Sequence, residues 1–149
     1  MDFAQWYLLF YTTLGFYNLG VIWVFQLVVF PLFDDVRADG YSDYHVSHGS
    51  RIPLPVIVPG FALMLSTLAL PFLCPDTVPL PLVLTLVACA LVAMYVTFAM
   101  EIPRHKRLEK GNSEAVIREL IRYNWPHALA TTVAALLALW MLAAAFAPA

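Results

Sequence analysis

Charged side chains are scarce in this sequence. Lys and Arg number eight and Asp and Glu number ten among 149 residues, so 12% of the chain is charged, against about 25% in a typical soluble domain. Hydrophobic residues make up 62%. This composition excludes an ordinary soluble domain, and it excludes a disordered chain because such chains lack apolar residues. The net charge of −2 argues against nucleic acid as a partner.

Cysteines and early basic residues are also few. Two cysteines do not build a disulfide framework. No Lys or Arg precedes the first apolar run, which is too long for a secretory leader and has no small-residue cleavage site after it. We therefore expect this run to remain in the protein as a membrane span.

Long apolar segments dominate what is present. A bilayer core of about 30 Å needs about 20 apolar residues in a helix, and four segments meet that length. The predicted spans are residues 3–33, 52–73, 80–100 and 125–146. Prolines at 53, 55 and 59 predict bent or irregular first turns in the second span. The sequence thus predicts one all-α domain over residues 1–149, a four-transmembrane-helix bundle.

The connection between the last two spans carries its own pattern. Residues 101–108 can extend the third span, although Pro103 predicts a kink. Gly111 and Asn112 end that extension. A short amphipathic helix then follows over Glu114–Arg122, with its apolar face expected against the membrane surface or the bundle.

The basic residues predict the orientation. All eight Lys and Arg lie within residues 34–51 and 101–124. By the positive-inside rule these two loops are cytoplasmic and both termini face outward. Every His and every Glu lies on the same side, and among acidic residues only Asp2 and Asp76 lie elsewhere.

Polar side chains at this end follow helical spacing, which places them on shared faces. Such stripes normally face a bundle interior, because facing lipid is costly. Three stripes are evident: Tyr41, His45 and His48; Thr97, Glu101 and His105; and Asn124, His127 and Thr131. In the first span, Asn18 and Gln26 are candidates to complete the lining.

Histidines and a carboxylate from facing helices are the means by which helical bundles bind metals. We predict a transition-metal site of iron, copper or zinc with ligands His45, His48, Glu101, His105 and His127, of which Glu101 and His127 are also the catalytic candidates. The expected neighbours that orient these ligands are Tyr41, Thr97, Asn124, Arg51 and Gln26. Haem held between two histidines is an alternative. Another is cofactor-free acid–base catalysis, with His127 or His105 removing a proton from a phenolic substrate.

Each group also has a structural explanation. His45 and His48 would be solvated beside the acidic residues of their loop. Glu101 and His105 would pair with Arg104, Lys106 or Arg107 at the lipid headgroups. Asn18 and Gln26 would serve as interhelical hydrogen bonds. Neither His-Glu-x-x-His nor a paired Glu-x-x-His motif is present to decide between these interpretations.

Several segments resemble a known group. They are Glu101-Ile-Pro-Arg-His105, Lys106-Arg-Leu-Glu-Lys-Gly111, Tyr123-Asn-Trp-Pro-His127 and Tyr44-His45-x-x-His48-x-x-Arg51. The chain resembles small four-span bacterial membrane proteins of the anthrone oxygenase-like family. That resemblance implies a four-helix bundle in a bacterial inner membrane and oxidation or oxygenation of a lipophilic aromatic molecule. Many such proteins open the last span with Asn-Trp-x-Arg-Thr, whereas His127-Ala128 stands here, so an arginine-dependent role does not carry over.

Two function classes follow from these patterns. The first is a membrane oxidoreductase, oxygenase-like, whose lipophilic small-molecule substrate enters from the membrane lipids between helices. The second is a non-catalytic scaffold or transporter subunit acting as a homo-oligomer. An alanine-rich face of the last span favours the second class: Ala128, Ala130, Ala134, Ala135 and Ala138. No acidic or basic residue lies at mid-membrane, which argues against ion-driven transport.

Overall fold

A computed structural model describes residues 1–75 and 78–146, so Asp76 lies outside the described residues. Every regular element in this part of the chain is helical, which confirms the all-α prediction. A short helix, α2, spans Tyr41–Arg51. The other four are long and apolar enough to cross a membrane: α1 (Phe3–Leu32), α3 (Pro53–Leu73), α4 (Leu80–Leu108) and α5 (Glu114–Ala145).

The first and last helices meet at one end of the bundle. Asp2 caps α1 by accepting a hydrogen bond from the backbone N–H of Gln5. The side-chain Nε2 of Gln5 then donates to the carbonyl of Ala145, 3.1 Å away. Both ends of the described chain therefore lie together, as an even number of spans requires. We call the opposite end, where α2 lies, the histidine end.

Two apolar clusters close the bundle. Near the termini, the buried residues that pack together include Leu8, Leu70, Leu86 and Met141. At the histidine end they are Phe30, Phe33, Tyr41, Leu108, Val116, Ile117 and Leu120. The polar residues singled out by the sequence lie between or beside these clusters, so packing at both ends encloses the middle of the bundle.

The last helix differs from the prediction. The expected amphipathic helix Glu114–Arg122 and the span from 125 form one uninterrupted helix of 32 residues, with Pro126 inside it. The physical reason lies in the apolar face of the first turns, where Val116, Ile117 and Leu120 are buried in the histidine-end cluster. That burial holds the segment in line with the bundle. The extension of the third span to Leu108, by contrast, forms as predicted.

Three of the spans carry a π-helical segment near the histidine end. The segments are Phe25–Val29, Pro53–Ile57 and Val96–Glu101. A proline ring in a helix clashes with the carbonyl four residues earlier. Each π segment contains such a carbonyl, at Leu27 before Pro31, at Pro55 before Pro59 and at Ala99 before Pro103. The wider π turn accommodates the ring, and π turns of this kind are frequent at functional sites.

Two carbonyls of α3 accept hydrogen bonds from α1, and one of them, that of Pro55, has no N–H donor four residues later because that position is Pro59. The Tyr17 hydroxyl donates to the carbonyl of Pro55, 2.8 Å away. The side-chain amide of Asn18 donates to the carbonyl of Pro59 at 3.3 Å. Pro59 thus leaves free one of the two α3 carbonyls to which α1 is hydrogen-bonded.

A second fastening joins α1 to α5. The amide Nδ2 of Asn124 donates to Oε1 of Gln26 at 2.7 Å, and Nε2 of Gln26 donates to the carbonyl of Ile121 at 3.2 Å. Both side chains are buried. Gln26 therefore forms interhelical hydrogen bonds, which is the structural explanation given for it above.

We expect Asn124→Leu to lower the stability of the protein by about 1 kcal/mol, because it leaves the buried Oε1 of Gln26 without its donor. The double variant Gln26→Leu with Asn124→Leu should be less destabilised than the sum of the two single changes. Thermal unfolding in detergent, followed by tryptophan fluorescence, measures both effects. Strictly additive losses would contradict the coupling.

Candidate functional site

The interior of the bundle contains a cavity of about 470 Å³, within the range of about 300–1,000 Å³ that is usual for small-molecule sites. Its walls are mainly apolar side chains of the four long helices. The His and Glu residues of its lining lie toward the histidine end: His45, His48, Glu101, His105, Glu109 and His127. The predicted site residues His45, His48, Glu101, His105 and His127 therefore line one end of an apolar chamber.

Glu101 and His127 form a hydrogen-bonded pair. Oε1 of Glu101 lies 3.0 Å from Nδ1 of His127. The hydroxyl of Thr97 donates to the other carboxylate oxygen at 3.2 Å and lies 3.4 Å from the same imidazole nitrogen. With the Nδ1 proton donated to the carboxylate, Nε2 of His127 is the nitrogen that can accept a further proton. The π segment Val96–Glu101 brings Thr97 and Glu101 to this position.

His45 and His105 form the second pair. Nε2 of His45 lies 3.2 Å from Nδ1 of His105, and the two rings stack with their centroids 5.3 Å apart. One nitrogen donates and the other accepts, so this contact holds α2 against α4. The interpretation of His45 as a solvated loop residue is wrong, because only 3% of its surface is exposed.

Phe33, which the sequence analysis did not single out, lies among three histidines. Its ring centroid is 5.0 Å from His45, 5.2 Å from His48 and 6.2 Å from His105, each in an edge-to-face arrangement. Its side chain is fully buried. The only sequence feature that distinguishes Phe33 is its position as the last residue of the first uncharged run.

The inner face of α2 carries polar atoms that lack partners. Among the described residues, the Tyr41 hydroxyl, Nδ1 of His45 and Nε2 of His48 are buried and accept or donate no hydrogen bond. Gly40 precedes this helix with a φ of 87°, a conformation that favours glycine. Buried polar groups are normally paired, so three such atoms on one short helix mark a place where a ligand could bind.

Burial keeps three side chains on the inner face of this helix uncharged. It lowers the pKa of His45, and the nearby His48 lowers that pKa further while Glu109 acts in the opposite direction. Burial also lowers the pKa of His48, as does Arg51. For Tyr41, burial raises the pKa to about 12. All three side chains are therefore neutral near pH 7.

Within residues 1–75 and 78–146, no Lys or Arg forms an ion pair with Glu101. Nε of Arg104 lies 3.2 Å from Glu119, and its guanidinium lies over the Tyr123 ring at 4.2 Å. Arg107 also pairs with Glu119, at 3.4 Å. The expected alternative, in which Glu101 pairs with these cations at the headgroups, is not what the structure contains.

The five predicted metal ligands are divided between the two pairs and His48. Among the described residues, no three His, Cys, Asp or Glu side chains lie together in a group that could hold a metal ion. As they are arranged, the donors do not fit a single metal centre, and the 3.2 Å between His45 and His105 leaves no room for haem between them. The transition-metal and haem sites therefore stay predictions.

We expect Tyr41→Phe to stabilise the protein by about 1 kcal/mol, because it removes a buried hydroxyl that has no partner. Tyr11→Phe is the matched control: that hydroxyl is also buried but lies 3.2 Å from Oγ1 of Thr67, so its loss should destabilise. Melting temperatures in detergent compare the two. A lower melting temperature for Tyr41→Phe would show that its hydroxyl has a partner after all.

Stability should fall as the pH drops below about 6.5. The unfolded chain takes up protons at His45 and His48 near that pH, whereas the folded chain does so only at lower pH, so acid favours unfolding. Melting temperatures between about pH 7.5 and pH 5 measure this slope. The double variant His45→Gln with His48→Gln should have a shallower slope, and an equal slope would refute this assignment.

Comparison of the chain with protein-family models, with curated proteins and with solved structures finds no match. The resemblance to the anthrone oxygenase-like family accordingly stays a prediction, and what is argued about function depends on the site itself.

Proposed function

We propose that this protein is a membrane-embedded enzyme that binds a lipophilic small molecule in the bundle cavity and removes a proton from it with His127, supported by Glu101. One observation carries the proposal: an apolar chamber has, in its lining, a carboxylate–imidazole pair with one nitrogen left to act as a base. The substrate class is a lipophilic phenol or another molecule with an acidic O–H or C–H group.

The cavity supports a lipophilic ligand. Its lining is mostly apolar, with a few polar groups gathered toward one end, which is the usual composition of a small-molecule site. Such a ligand would place its apolar body between the spans and its acidic group toward His127. The unpartnered nitrogens of His45 and His48 would supply polar contacts to the same end of the ligand.

The pair supports general-base catalysis. The carboxylate of Glu101 fixes the tautomer of His127 and stabilises the imidazolium that forms when Nε2 takes the proton. Thr97 holds the second carboxylate oxygen and so limits rotation of Glu101. The proton moves from the ligand to Nε2, and the ligand becomes an anion.

The oxygenase-like activity extends this proposal. A deprotonated lipophilic aromatic is electron-rich, and the oxygenation that the family resemblance implies would take dioxygen as its oxidant, so that a CH2 group and O2 give a carbonyl group and water. In the positive-inside orientation the protein lies in a bacterial inner membrane with its histidine end facing the cytoplasm. Protons could then leave to the cytoplasmic water.

The scaffold alternative is less well supported. In this structure Ala128, Ala135 and Ala138 of the alanine-rich face are buried within the chain, and Ala130 and Ala134 line the cavity. These small residues therefore serve packing inside one bundle, and they are not an exposed surface for a homo-oligomer.

Ionisation of 2-naphthol tests the proposal, because its absorption differs between the neutral and ionised forms. In phosphatidylcholine nanodiscs near pH 7.5, the wild type should increase the ionised fraction above that in empty nanodiscs. Glu101→Gln should lower the ionisation constant of the bound probe by about tenfold or more, the size of one hydrogen bond to a charged group. His127→Gln should abolish the increase.

Glu119→Gln is the matched control, since it makes the same carboxylate-to-amide change at a residue that pairs with Arg104 and Arg107 and does not line the cavity, so it should leave the ionisation intact. An ionised fraction equal to that in empty nanodiscs would overturn the proposal. Loss of ionisation after treatment with a chelator, together with stoichiometric metal in the purified protein, would replace it with the metal-centre version.

A further inference from the structure

A groove runs along the outer surface of the bundle between α1 and α3. Its volume is about 620 Å³. Most of its lining is apolar and comes from α1 and α3. Its basic residues, His48 and Arg51, lie at the histidine end. Because α1 and α3 are both spans, the apolar part of this groove faces the bilayer.

The groove and the inner cavity have a common wall. Val21, Phe25, His48, Ile52 and Val56 line both. The side chains of these five residues therefore lie between the lipid-facing groove and the chamber. The rings of Phe25 and His48 lie 6.1 Å apart, centroid to centroid, in this wall.

Gly20 keeps the groove open. A Cβ atom built on Gly20 has no atom within 4 Å, so the space above it is empty of protein. The hydrogen bond from Tyr17 to the carbonyl of Pro55 fastens the two helices beside it. The gap is therefore maintained by a missing side chain, whereas the helices themselves are held in place.

Arg51 gives the groove a charge at one end. Its side chain is exposed, and the structure gives it no ion pair or hydrogen bond with any described residue. The nearest ionisable group in the lining, His48, has a lowered pKa and is neutral near pH 7. A guanidinium of this kind binds carboxylate or a similar anion through charge-assisted hydrogen bonds.

We propose that this groove is the side entrance of the cavity and that it admits lipophilic molecules bearing one anionic group. Arg51 binds the anion at the membrane surface, the apolar body lies over Gly20, and movement of the Phe25 and His48 side chains lets it pass inward. The inference rests on the proposed function in one respect, because it takes the cavity ligand to be lipophilic.

Photolabelling in phosphatidylcholine nanodiscs tests the entrance. The probe is palmitic acid with a diazirine on its chain, and its methyl ester is the uncharged control. After irradiation, the acid should label the peptides that line the groove and the cavity more than the ester does. Arg51→Gln should reduce labelling by the acid by about tenfold, to the level of the ester, through loss of the charge-assisted hydrogen bonds.

Gly20→Leu should fill the groove and reduce labelling of the cavity peptides by both probes. Ala88→Leu is its matched control, because Ala88 is exposed on α4 and lines neither space. Equal labelling of all lipid-facing helices, or equal labelling by acid and ester, would overturn the entrance. Either result leaves the naphthol test of His127 unaffected, and failure of that test leaves labelling unaffected, so the two proposals fail separately.

Discussion

Prolines in the spans remove backbone hydrogen bonds that a bilayer cannot replace with water, and the histidine end depends on how the structure compensates. The π segments make room for the rings of Pro31, Pro59 and Pro103. The carbonyl of Pro55, which has Pro59 in place of an N–H donor four residues later, accepts a hydrogen bond from Tyr17 of α1. This compensation ties the bundle together beside the cavity and turns Thr97 and Glu101 toward His127. The local backbone defect and the placement of the catalytic candidates therefore have one cause.

Packing at the two ends explains why a cavity persists between them. The cluster around Leu86 and Met141 and the cluster around Phe30 and Phe33 are both well buried. Between them the lining includes small residues such as Gly15, Gly60 and Ala130, which do not fill the space. The bundle is thus stabilised at its ends, while its centre remains available for a ligand.

Much of the fold could be predicted from hydropathy alone, since four apolar runs in a low-charge chain admit few arrangements. Helical spacing also predicted which faces carry Tyr41, His45 and His48 and which carry Thr97 and Glu101. Spacing within a helix does not tell how two helices are rotated against each other, so the division of the histidines into separate pairs was not predictable. The burial of Phe33 among imidazoles was hidden for the same reason. The continuity of α5 was missed because Pro126 is locally typical of a helix start, whereas packing of Ile117 and Leu120 overrides that signal.

The unbroken length of α5 also sets how far His127 lies from the termini end of the bundle. At 1.5 Å per residue, the distance along the helix from Ala145 to His127 is about 27 Å, close to the thickness of the hydrocarbon core. If the termini end is placed at one membrane surface, this length would put His127 near the other surface, where hydrocarbon gives way to water. Under the proposed function, a ligand would remain in the apolar layer while the proton taken from it passed to the aqueous phase. Proton transfer of this kind would need no chain of proton carriers through the bundle, because the proposed acceptor would lie at the boundary between the two solvents.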